Sequence, residues 1–116
     1  KECGVHQNYK NKVLKANDIA TMSTGKRLGH PVRSIKNPYT KEYFKLEYSN
    51  ISDEELEAYG RGSLYRAAVE GDEKTGCFLA GQIAGMVNKE QTAKEIIEEI
   101  FTQAEDVLKG ATKWVK

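Results

Sequence analysis

Only two cysteines, two prolines and one tryptophan occur in the 116 residues. Cys3 and Cys77 stand far apart, a count that fits a reducing, intracellular setting better than a disulfide scaffold. No sign of charge dominates. The net charge is +1, with both signs interspersed along the chain, so nothing points to a general nucleic-acid binder or an acidic-lipid binder. No apolar run reaches the length of a membrane span, and no signal peptide is visible. Repeats and low-complexity tracts are missing. So are paired carboxylates in an apolar setting, a Ser-His-Asp arrangement and a Walker-type loop; the pattern alone does not support catalysis within the chain. Cys3-x-x-His6 with His30 and Cys77 offers one tight pair, whereas structural zinc sites present two, so no metal site is expected.

What is present centres on Gly76-Cys77-Phe78-Leu79-Ala80-Gly81-Gln82-Ile83-Ala84-Gly85-Met86-Val87. This run holds no charge, although charged residues are 30% of the chain, and it carries three of the ten glycines. Glycine is costly in a core, because it loses much entropy and packs nothing. On a helix Gly81 and Gly85 would share one face and admit a backbone or a flat ligand. Gln82 is the one long polar side chain, so it meets a surface or a specific partner. Two readings stand: a buried strand-to-helix corner, in which Cys77 is a small core residue, or the wall of a ligand pocket.

Around the run, helices dominate. Tyr9, Val13 and Leu14 predict a short helix over Asn8–Ala16, ended by Asn17-Asp18. Ile19 to Ser23 alternates weakly, as a short strand would, and residues 24–29 form a glycine-marked turn. Asn37-Pro38 is a helix start, with Tyr39, Tyr43, Leu46 and Phe44 on the apolar side. Ser52-Asp53-Glu54-Glu55 is a capping box for a helix that stops at Gly60. Ser63 is expected to cap another through Val69, ended by Gly71, and a polar turn over Asp72–Thr75 leads into the run. Thr92-Ala93-Lys94-Glu95 opens the clearest element. Ile96, Ile97, Ile100, Phe101, Ala104, Val107 and Leu108 recur at helical steps over about five turns, with Trp114 and Val115 extending the face. A face this wide, in a chain whose other elements supply little core, is expected to pack on something outside these residues.

His30-Pro31-Val32-Arg33-Ser34-Ile35-Lys36 reads as extended, since Pro31 disfavours helix at His30 and Val32 and Ile35 are β-branched. Neither face is cleanly apolar. His30, Arg33 and Lys36, beside Lys26 and Arg27, make either a solvated basic edge or an anion site, because Arg forks fit phosphate and Lys adds point charge. Gly60-Arg61-Gly62 is too short for a dinucleotide fingerprint.

Several stretches, taken in order, resemble a known family. They are Gly29-His30-Pro31-Val32-Arg33-Ser34-Ile35-Lys36-Asn37, Ala68-Val69-Glu70-Gly71-Asp72, Ala80-Gly81-Gln82-Ile83-Ala84-Gly85-Met86-Val87, and Lys89-Glu90-Gln91-Thr92 with Glu95-Ile96-Ile97. Together with the opening Lys1-Glu2-Cys3, His6, Asn8 and Tyr9, they look like the C-terminal third of FabK-type enoyl-acyl-carrier-protein reductase II. That flavin-dependent group is related to nitronate monooxygenases, also called 2-nitropropane dioxygenases.

The resemblance implies an α/β fold class. The chain would be the small, helix-rich α+β lid domain and final helix of a (β/α)8 TIM-barrel flavoprotein. Residues 1–88 would be the lid inserted after the last barrel strand, and residues 89–116 the amphipathic helix that returns to the barrel. The start at Lys1, without Met, would then mark a piece of a longer polypeptide or a processed product. The implied reaction is reduction of the 2,3 double bond of an enoyl thioester in bacterial fatty-acid synthesis. Hydride would pass from NADH or NADPH by way of FMN to the β-carbon, with a proton to the α-carbon. The catalytic histidine and the flavin phosphate site would lie in the barrel, so no catalytic residue is expected here and His30 is not that histidine. Gly81 and Gln82 would line the flavin and acyl channel. His30, Arg33 and Lys36 would contact the nicotinamide dinucleotide phosphates or a phosphopantetheine. Expected partners are the upstream barrel, an enoyl-carrier-protein or enoyl-CoA substrate, and a second copy as a homodimer, in the cytoplasm, without nucleic acid or membrane. A nitronate monooxygenase and a non-catalytic helical interaction module are the alternatives.

Overall fold

Helix α1 spans Gln7–Leu14 and starts where the His6 side chain accepts a hydrogen bond from the Asn8 amide. Strands β1, Thr21–Thr24, and β2, Val32–Ile35, form an antiparallel hairpin with Thr21 opposite Ile35 and Thr24 opposite Val32. Then follow α2, Pro38–Glu47; α3, Asp53–Gly60; and a short turn α4, Ser63–Tyr65, that widens into a π-helical turn over Arg66–Glu70. A 3-10 turn covers Gln82–Met86, and α5 runs Ala93–Ala111 with a closing 3-10 turn at Thr112–Trp114. The computed structural model describes residues 1–114. It divides into two compact units, one of residues 4–89 and one of residues 1–3 with the segment from Glu90 onward. No helix among the described residues is long and apolar enough to cross a membrane.

In the larger unit the caps at Asn37 and Ser52 are as the sequence predicts. Asn37 caps α2: its side chain accepts from the Thr40 amide at 2.9 Å, and the Thr40 hydroxyl accepts from the Asn37 amide at 3.0 Å. Ser52 and Glu55 reciprocate in the same way at the start of α3. Ser63 differs from expectation. It is buried as the first helical residue, Gly62 takes the cap position, and the Ser63 carbonyl instead accepts from the Cys77 amide at 2.9 Å.

Two small cores flank the uncharged run. Tyr39, Tyr43, Leu56 and Cys77 form one, with Leu28, Leu46 and Ile51 packed against it; Phe44 stays exposed on the other side of α2. Ile35, Ala67 and Phe78 form the other, with Tyr9, Val13 and Ala80 around it. Cys77 and Phe78 are adjacent in sequence, yet they enter different cores. An extended backbone explains this, because successive side chains point to opposite faces. The run is therefore the seam that joins the two clusters.

In the smaller unit, Thr92 and Glu95 close the capping box of α5. The Lys1 ammonium reaches the Gln91 carbonyl at 2.6 Å, and the Lys1 side chain pairs with Glu95 at 3.5 Å. No residue of α5 is buried: Ile97, Phe101, Val107 and Leu108 are all more than half exposed. Trp114 is exposed too, and Val115 lies outside the described residues.

Candidate functional site

The run changes character midway. Its first part is pinned to β2: the Ile35 amide donates to the Phe78 carbonyl at 2.8 Å, the Ala80 amide donates to the Arg33 carbonyl at 3.1 Å, and Ser34 faces Leu79 in an antiparallel bridge. The Tyr9 hydroxyl donates to the Leu79 carbonyl at 2.7 Å. Asn37 adds a third hold, since its side-chain amide donates to the Gly76 carbonyl at 2.7 Å and to the Glu73 carbonyl at 3.1 Å. From Gly81 onward the chain turns outward. The backbone closes on itself, Ala84 amide to Gly81 carbonyl at 3.1 Å, and only Ala84 is buried. Ile83 and Met86 stand 65% and 74% exposed. The buried-corner reading thus applies to the first half, and the outer half is an exposed 3-10 turn, not the helix that placed Gly81 and Gly85 on one face.

The glycines separate accordingly. A Cβ at Gly76 would sit 2.6 Å from the Asp72 carbonyl oxygen, and one at Gly85 would sit 3.0 Å from the Asn17 backbone. Both are required by the approach of the chain to itself. Gly81 is different. Its φ of −73° and ψ of 175° suit any residue, and an added Cβ would meet only Ile83, at 4.0 Å. Nothing among the described residues calls for glycine there. Beside it Gln82 is exposed, and its side chain has no hydrogen bond among the described residues. The result is an uncharged, open tip of Gly81, Gln82, Ile83 and Met86 on a hydrogen-bonded base.

These features bear on the flavin expected from the sequence. A flat ring needs apolar contact, room for close approach and a few polar groups at its edge; Gly81, Ile83, Met86 and the free amide of Gln82 supply them. The tip offers no cationic side chain for a phosphate. The residues fit the ring portion of such a group and leave its phosphate to other parts of a protein.

The three expected anion contacts do not converge. Arg33 is half-buried and donates to the Thr21 hydroxyl at 3.1 Å. Lys36 donates to the Ile19 carbonyl at 2.7 Å and lines an open groove between α1 and α2. His30 closes the hairpin through its amide to the Gly25 carbonyl, and its side chain lines a cleft of about 200 Å³ with Tyr39, Tyr43, Cys77 and Leu79. Strand alternation is the reason: Arg33 and Lys36 lie on opposite faces of the segment.

The cysteine of that cleft is not an activated nucleophile. Burial pushes the Cys77 thiol up, and the neighbouring Ser34 hydroxyl offsets this only in part, which keeps the sulfur protonated and inert. Burial likewise pushes Tyr39 up to about 12, and the same cause raises Tyr43 and Tyr59. Tyr39 and Tyr59 stack with ring centroids 5.4 Å apart. These are packing groups, not acids or bases for chemistry near neutrality.

A helix-rich α+β arrangement of this kind is part of the architecture of a class of TIM-barrel oxidoreductases that use flavin. The family model of nitronate monooxygenase matches residues 1–103, and the chain belongs to that family. It is similar to the solved structure of FabK from Thermotoga maritima, with 35% identity and a TM-score of 0.89 over 96% of this chain and 35% of that one. A point mutant of FabK from the same organism matches with 32% identity and a TM-score of 0.78, over 96% of this chain and 32% of that one. The chain therefore spans about a third of the length of the solved structures it matches. No curated protein matches it.

Proposed function

We propose that this chain is the lid portion of an FMN-dependent enoyl-acyl-carrier-protein reductase, and that its outer turn, Gly81 to Met86, forms one wall of the channel shared by the flavin and the acyl chain. The observation that supports this most is the pairing of a FabK-like fold at 35% identity with a glycine, Gly81, that no contact among the described residues requires. Bound flavin would supply the hydride relay between NAD(P)H and the enoyl thioester. This chain's part is positional. Ile83 and Met86 cover the reacting region and keep water out, Gly81 leaves room for the ring, and the Gln82 amide hydrogen-bonds its polar edge or the thioester carbonyl. His30, Arg33 and Lys36 act as separate contacts to the nicotinamide dinucleotide or the phosphopantetheine. Reacting groups lie in the barrel that precedes this segment in the complete polypeptide, and the setting is cytoplasmic.

The test uses that complete polypeptide. Oxidation of NADH or NADPH that depends on an added enoyl thioester, by a yellow protein, is the expected result. The matching family model favours a second reading, a nitronate monooxygenase. Oxygen consumption with a nitronate, without nicotinamide and without response to enoyl thioesters, would establish that reading and exclude the reductase. Arg33→Ala is expected to raise KM for the reduced nicotinamide more than it lowers kcat. Unchanged KM for both nicotinamide and acyl substrate would remove Arg33 from the site.

A further inference from the structure

Charges that alternate along the sequence are sorted in space. Two adjoining depressions, of about 290 and 720 Å³, share Lys12, Lys36 and Glu73 and together form one open groove along α1 and α2. Six lysines line it, Lys12, Lys15, Lys36, Lys41, Lys45 and Lys74, against two glutamates. Both glutamates are already paired: Glu73 with Lys12 at 3.0 Å and Glu42 with Lys45 at 3.2 Å. Lys36 spends one proton on the Ile19 carbonyl. Among the described residues, Lys15, Lys41 and Lys74 meet no carboxylate. A groove this positive on a chain of net charge +1 leaves the remainder of the surface negative, so the concentration is local.

The cations are all lysines. A compact phosphate site uses Arg forks or backbone N–H groups in fixed geometry. Here the ammonium groups sit on long stems from three separated segments, residues 12–15, residues 36–45 and the turn at Glu73-Lys74, and spread over an open face. That arrangement suits a broad negative surface, met through many weak and salt-screened contacts.

We infer that this groove docks an acidic protein surface. On the reading proposed above, that surface belongs to the acyl carrier protein that presents the enoyl thioester. The inference rests on the reductase reading only for the identity of the partner. The contact would then be separate from the Gly81 to Met86 wall, so that the carrier is held by lysines while its acyl chain enters elsewhere.

The test measures binding and turnover separately, in the complete flavin-loaded polypeptide. Fluorescently labelled holo-acyl carrier protein is titrated by anisotropy, and steady-state rates are taken with enoyl-carrier-protein and with enoyl-CoA. Reversing Lys41 and Lys45 together, Lys41→Glu with Lys45→Glu, is expected to weaken carrier binding by about tenfold or more. KM for enoyl-CoA should stay within about twofold, and raising salt should weaken the parent but barely affect the variant. The neutral pair Lys41→Gln with Lys45→Gln should fall between, and both changes sit on the exposed side of α2, where folding is little affected. Carrier affinity unchanged by charge reversal overturns the inference. Equal losses for carrier and CoA substrates also overturn it, since they would assign the lysines to a phosphate shared by both. Carrier binding that responds as expected, without any thioester-dependent oxidation of NAD(P)H, would refute the reductase reading and leave the docking surface in place.

Discussion

Gly81 and Gly85 carry the same side chain for opposite reasons. Alanine at Gly85 would press on the Asn17–Asp18 backbone, at 3.0–3.2 Å, and backbone does not yield cheaply. We expect Gly85→Ala to cost about 1–3 kcal/mol, the usual range for overpacking. Gly81→Ala should change stability by less than about 0.5 kcal/mol, as at an open surface position. Urea denaturation of the two variants checks the contrast, and equal costs would refute it. Spacing in the sequence grouped these two glycines as one helical face. It could not separate them, because the partner of Gly85 lies some seventy positions away. The buried tyrosines act at the same scale. Tyr39 has its folded pKa raised from 10 to about 12 by burial. Its neutral form is the stable one in the core, so its contribution is fully present below pH 10. It is lost as pH rises from about 10 towards 12, while the unfolded chain ionises first. The urea midpoint should fall steeply over that window, and Tyr39→Phe should flatten the fall. A Tyr39→Phe profile identical to the parent's would contradict this.

Asn37 shows how one residue ties elements together. It caps α2 and also donates to the Gly76 and Glu73 carbonyls, so it fixes the start of the uncharged run against the helix. Asn37→Ala removes the cap and leaves two carbonyls unpaired, a loss of about 2–3 kcal/mol. Asn37→Ser keeps an acceptor for the Thr40 amide and loses the donors without setting a charge against the two carbonyls, so it should be milder. Thermal unfolding of both variants tests this, and a Ser variant as damaged as the Ala variant would show that capping is the minor part. The cap and the capping boxes at Ser52 and Thr92 were legible in the sequence because they are local: three residues hold all the information. The hairpin was legible only in outline. Ser34 is fully buried and Arg33 half-buried, a pattern set by the run crossing β2 and not by the strand's own alternation. The lysine groove was illegible, since its residues come from three distant segments that each read as an ordinary wet face.

At the scale of the whole molecule, the chain presents two surfaces that its own residues do not explain, the tip at Gly81 to Met86 and the apolar face of α5. Phe101 is 68% exposed here. If α5 packs on the barrel of the complete polypeptide, Phe101→Ala should cost about 3–5 kcal/mol there, as for a buried aromatic; a cost under about 0.5 kcal/mol would mean the face stays open. Helix α5 itself stood out in the sequence by its period, but what covers it is not encoded in the segment. The same holds for the tip: its lack of charge was plain, but the segment does not encode what it faces. We propose above that this tip lines the flavin and acyl channel. The most direct measurement is Gly81→Val in the complete polypeptide, with flavin dissociation constant, enoyl-thioester-dependent oxidation of NAD(P)H and thermal midpoint recorded together. A bulky side chain at an open, unstrained position should leave the midpoint within about 2 °C while flavin affinity or kcat/KM for the acyl substrate falls about tenfold or more. Unchanged flavin binding and unchanged turnover, at unchanged stability, would contradict the claim.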